Sequence, residues 1–160
     1  MKERKDRIEN RGDLCGPMAL MIAYRAQGHD RTIEDLIDEL DVQDGGVNWF
    51  QMFNHAINEG FSVTFKNNAR YSELIKARFE GIPIVGTTEW DNQVRKRVSH
   101  LAVVNSINQA SIELIDPDFN NLTYTKIRKL PRDKFIERWH DDETKAALMV
   151  IGERLNRPKR

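Results

Sequence analysis

The chain has one cysteine, Cys15, so no intramolecular disulfide can form and the fold must be held by its core. It also lacks any excess of charge. Lysine and arginine total 25, as do aspartate and glutamate, which removes a global electrostatic reason to expect nucleic acid or a membrane surface as partner. No stretch approaches the roughly 18 consecutive apolar residues that a membrane span requires. Residues 1–10 show no apolar run after their basic residues, so no secretory signal is expected. Repeats, low-complexity tracts and Pro/Gly/Ser linkers are missing, and a single domain over residues 1–160 is the economical expectation. The glycines at 44–46 and 80–86 lack the spacing of a phosphate-cradling loop. These absences leave a cytoplasmic domain with a reduced thiol, no cofactor, no nucleic-acid partner and no membrane span. With 39% apolar and 31% charged residues, its 160 residues suffice to bury a core without staples. The basic residues at both ends read as solvated termini.

The first half reads as helical. Leu20, Ala23 and Tyr24 recur at helical spacing in 17–26, with Pro17 in the first turn and Gln27-Gly28 as the stop. Thr32 is placed to cap a second helix whose apolar face is Ile33, Leu36, Ile37 and Leu40. Asn48 and Gln51 form a capping-box pattern for a third helix, closed by Gly60 and carrying Trp49, Met52, Phe53, Ala56 and Ile57, which read as core. A short fourth helix is expected over 72–80. The second half reads as sheet: strands at 61–65, 82–88, 98–107, 110–117 and 123–127, a helix at 132–139, and a last strand at 146–152. Asn108-Gln109 reads as a tight hairpin turn. The order predicts an α+β domain with the helices packed on one side of a twisted antiparallel sheet.

Cys15 precedes Gly16-Pro17 at the start of the first helix. There the unpaired N–H groups and the positive end of the helix dipole favour the thiolate, the nucleophilic form. The same N–H groups suit an oxyanion. A buried core thiol fits the local sequence equally well. A nucleophile needs a base, and the chain offers four histidines. His29, His55 and His140 read as structural or solvated. His100 opens an apolar run in a strand, where an imidazole can be held rigidly. Asp116 closes the next strand, and a turn at Asn108-Gln109 sets it nearly opposite His100, within reach of a cross-strand contact. Asp116 and Asp118 have a metal-like spacing, but no ligand cluster supports it, so no metal is expected.

The set Asp13-x-Cys15-Gly16-Pro17, His100-Leu101-Ala102-Val103-Val104, a hairpin, and Asp116-Pro117 resembles the papain-like double-glycine leader peptidases, as does the closing helix and strand at 135–152. These bacteriocin-processing cysteine peptidases often form the N-terminal domain of an export transporter. The resemblance spans about residues 9–152. It implies a papain-like fold, a Cys15–His100–Asp116 triad, and cleavage of a peptide or protein substrate, typically after Gly-Gly. One departure from the family is that no transmembrane or ATP-binding segment follows, so a freestanding member is expected, with an export transporter or another protein as associate. Gly16 and Ser99 are the expected substrate-binding residues. The family places a glutamine about six residues before the cysteine. Here Glu9 stands there, and a carboxylate cannot donate to an oxyanion. Asn10 is the amide left for that task. Three readings stay open: a cysteine peptidase, a peptidase-like domain that binds peptides without cutting them, and a deamidase or transamidase on the same scaffold.

Overall fold

The computed structural model describes residues 14–42, 47–91, 95–117, 125–141 and 144–155. Glu9, Asn10 and Asp118 lie outside the described residues. Local capping sets the helix boundaries. α1 (Cys15–Ala26) takes Pro17 into its first turn, where a missing N–H removes no helical bond, and ends before Gly28, whose φ of 81° suits glycine. α2 (Ile33–Leu40) begins where the Thr32 hydroxyl accepts from Asp35 N at 3.1 Å. α3 (Trp49–Asn58) opens on a reciprocal box: Gln51 N donates to Asn48 Oδ1 at 2.8 Å, and Asn48 N to Gln51 Oε1 at 2.9 Å. Replacing Asn48 by alanine removes one arm of that box. A loss of about 1 kcal/mol in unfolding free energy is expected, read from the urea midpoint at constant slope.

The remaining elements are β1 (Phe61–Lys66), α4 (Tyr71–Glu80), β2 (Ile82–Asp91), β3 (Lys96–Ile107), β4 (Ser111–Pro117), β5 (Thr125–Pro131), α5 (Arg132–Arg138) and β6 (Leu148–Arg154). The strands form one antiparallel sheet in the order β1-β6-β2-β3-β4-β5. The N-terminal helices α1, α2 and α3 pack on one face, against Ile84, Val103, Met149 and Ile151. Helices on one side only were expected, but the other face is covered as well: Leu74 of α4, Phe135 of α5 and Trp139 just after it pack onto Val85, Ala102, Val104, Leu114 and Val150. The central strands are therefore buried on both sides. This explains why 82–85 and 101–104 read as unbroken apolar runs rather than as alternating ones. No helix among the described residues is long and apolar enough to cross a membrane.

Candidate active site

Cys15 is the first residue of α1, half-buried, with no acidic residue in the turn that follows. Its position gives its own N–H and that of Gly16 no partner within the helix, and Pro17 has none to offer. Gly16 is buried. The space a Cβ would need there is already held by Val47, whose Cγ2 would lie 2.3 Å away, with Leu101 Cδ1 at 3.7 Å. The glycine thus lets the start of α1 press against residues 47–52 and against β3 at Leu101, next in sequence to His100.

His100 is 6% exposed and Asp116 14%. Their contact is direct, with His100 Nε2 lying 3.0 Å from Asp116 Oδ1. A carboxylate only accepts, so Nε2 carries the proton and Nδ1 is the basic nitrogen. The register that achieves this differs from a simple two-residue hairpin. The turn takes in Asn108, Gln109 and Ala110, with Asn108 Oδ1 accepting from Ala110 N and Ser111 N. Ile107 then faces Ile112, and a regular ladder from that pair would put residues 100 and 116 on opposite faces of the sheet. One extra residue at Asn105 shifts the register, so that Val104 faces Leu114 and Val103 faces Ile115. This bulge returns His100 and Asp116 to one face as diagonal neighbours. It is tied down by Glu113, which accepts from Asn105 Nδ2 at 3.1 Å and Ser106 Oγ at 2.9 Å, and by Arg78 Nε on the Asn105 carbonyl at 3.1 Å. Ser99 is exposed and faces Thr88 across β2.

Two residues that the sequence reading did not single out join the dyad. Arg128, opposite Leu114 on β5, lies against both Asp116 oxygens: its Nε is 2.8 Å from Oδ2 and its Nη2 3.3 Å from Oδ1. The Nε contact is an ion pair without hydrogen-bond alignment. Arg128 Nη1 donates to Glu89 Oε2 at 2.9 Å, and Arg138 of α5 stands 3.7 Å from the same oxygen. Burial opposes the Arg128 charge, but the Glu89 hydrogen bond and the Asp116 charge outweigh it, and the guanidinium is held above its ordinary range. The signal in the sequence was only the basic residue on the strand after Asp116.

An apolar cavity of about 540 Å³ opens beside α3, lined by Trp49, Phe50, Phe53, Phe65 and Thr144 among others. Phe50 is 72% exposed and Ile57 also reaches solvent, so the α3 aromatics and Ile57 are not all core. Trp49 connects the cavity to the site. Its indole would lie 3.0 Å from a Cβ at Gly86, the residue paired with Leu101, and its Nε1 donates to Asp141 Oδ2 at 3.2 Å.

Among the described residues one group could hold a metal: Glu39, His55 and Glu59 place ligand atoms within 4.8 Å of one another. Arg31 pairs with both carboxylates and already supplies the cation. Burial lowers the pKa of His29 and of His55, keeping both neutral at pH 7. It raises that of Tyr24, whose hydroxyl stays protonated 2.8 Å from His55 Nδ1. This cluster joins α1, α2 and α3, a structural place for both histidines.

No protein-family model matches the sequence, and no curated protein matches it significantly. The structure does have close relatives in shape. The peptidase domain of Streptococcus ComA, a bifunctional ABC transporter of a quorum-sensing pathway, aligns with a TM-score of 0.66 over 88% of this chain and 92% of its own, at 16% identity. A C39-like peptidase from Bacillus anthracis gives 0.62 over 92% and 90%, at 18% identity. The double-glycine-motif protease of an AMS/PCAT transporter, solved with its leader peptide, gives 0.64 over 87% and 84%, at 14% identity. The chain has the α+β, papain-like fold of these C39 peptidase domains.

Proposed function

We propose that a chain with this fold and this dyad is a cysteine peptidase. It cuts a peptide bond in an extended segment of a protein or leader peptide, after small residues such as Gly-Gly. The observation that carries the reading is the His100–Asp116 contact at 3.0 Å, made on a strand against which the start of α1, with the chain's one thiol, is packed. Cys15 attacks the carbonyl carbon as thiolate. His100 takes the thiol proton at Nδ1 and gives it to the leaving amine, and Asp116 fixes the ring and its tautomer. The Cys15 N–H and the Asn10 amide hold the oxyanion. The resulting thioester is hydrolysed by water that His100 activates. The cavity at Trp49 and Phe53 takes an apolar side chain of the substrate at a distance from the scissile bond, and Ser99 lies along the bound backbone.

The test is mass spectrometry of peptides carrying Gly-Gly between apolar and polar segments. Products ending in Gly-Gly are expected, and none from a Val-Val counterpart. Alkylation of Cys15 followed against pH gives the second arm, with a midpoint well below the ordinary thiol value of about 8.5 expected. Absence of products together with ordinary thiol reactivity would overturn the proposal and favour a domain that only binds peptides. Conversion of a side-chain amide without backbone scission would assign it to deamidation or transamidation.

A further inference from the structure

Asp116 does not stand alone behind His100. Arg128 reaches it from β5 and continues to Glu89 on β2, so its guanidinium bridges the strand that carries the imidazole. The residues of this face alternate as a sheet requires: Thr87 opposite His100, Glu89 two positions along β2, Arg128 opposite Leu114 two positions from Asp116. An arginine suits the task because its planar fork contacts two carboxylates at once, which an ammonium cannot do in fixed geometry.

We propose that Arg128 is a positioning residue for the dyad: braced by Glu89, it pins the Asp116 carboxylate where one oxygen meets His100 Nε2–H, and its cation balances the acids around the imidazole. The inference rests on the peptidase reading for its consequence in turnover, but not for its geometry. The charged groups concerned are Asp116 on β4, Glu89 on β2, Arg128 and Lys126 on β5, and Arg138 on α5, with Cys15 on the side of α1. Without Arg128, Asp116 can turn from the ring, and the unbalanced carboxylates favour the imidazolium. Turnover should therefore fall while the upper limb of the pH profile moves upward.

The experiment compares wild type with Arg128→Met, Arg128→Lys and the double variant Glu89→Gln/Arg128→Met, which removes both charges of the brace and protects the fold from a stranded carboxylate. The readouts are kcat and KM against pH, and the 15N resonances of His100. Arg128→Met should lower kcat tenfold or more at unchanged KM and raise the upper limb by about one pH unit. It should also broaden or shift the Nε2–H signal. Arg128→Lys should keep the limb in place and lose only part of kcat, and the double variant should bring the limb back toward wild type. An Arg128→Met protein with kcat within twofold, an unmoved limb and an unchanged Nε2–H signal overturns the inference. A wild type with no Cys15-dependent turnover instead overturns the peptidase reading, and the resonance arm still decides the role of Arg128.

Discussion

Cys15→Ala is expected to lower peptide cleavage by at least about four orders of magnitude and to abolish labelling by a peptidyl epoxide. Alanine has no nucleophile, and nothing else at the start of α1 can replace it, since Gly16 and Pro17 follow directly. His100→Ala should fall to a similar floor. The two changes made together should go no lower, because thiol and base act as one unit and removing either removes the covalent step. The measurement is single-turnover cleavage under excess enzyme, which reports the chemical step without product release. A Cys15→Ala protein that retains more than about 1% of the rate would sink the proposal outright. Additive losses in the double variant would show that His100 acts apart from the thiol.

The helices were legible because their signals are local. Thr32, and the pair Asn48 and Gln51, mark their helix starts within four residues, and the structure uses those same bonds. The dyad was legible in part. A strand ending in Asp116 after one beginning near His100 pointed to neighbours, but a two-residue turn is the wrong device. With it, the pair would face opposite sides of the sheet. The bulge at Asn105 alone corrects the parity, because the larger turn moves the register by two and leaves every residue on its face, and neither glycine nor proline marks that bulge in the sequence. Helices on the second face went against the one-sided packing read from the element order; the signal for them was the unbroken apolar runs of β2 and β3, since a strand with one wet face alternates. Arg128 and Glu89 could not be read from the sequence. Their meeting depends on the pairing of β4 with β5 and on a side chain crossing β3, and no local pattern encodes either.

Asp116 offers the second large effect, and it separates orientation from charge. Asp116→Ala leaves His100 Nε2–H without its carboxylate and the half-buried Arg128 with Glu89 alone. A loss of about 10³- to 10⁴-fold in kcat is expected, the scale seen when a triad imidazole loses its tautomer. Asp116→Asn keeps the shape. Its amide oxygen can occupy the Oδ1 position, which faces both His100 Nε2 at 3.0 Å and Arg128 Nη2 at 3.3 Å. The amide nitrogen then takes the Oδ2 position, 2.8 Å from Arg128 Nε, where two donors oppose each other. Turning the amide over moves the conflict onto His100 instead. Losing the Arg128 ion pair and setting two donors against each other costs about 1–3 kcal/mol, so Asp116→Asn should lose roughly 5- to 150-fold, well short of alanine. Combining it with Arg128→Met removes the opposing donor and should recover part of that loss, a rescue that simple damage to the fold would not give. The check is kcat for the three variants beside their urea midpoints. If asparagine and alanine prove equally inactive at equal stability, the carboxylate acts through its charge rather than by holding the ring.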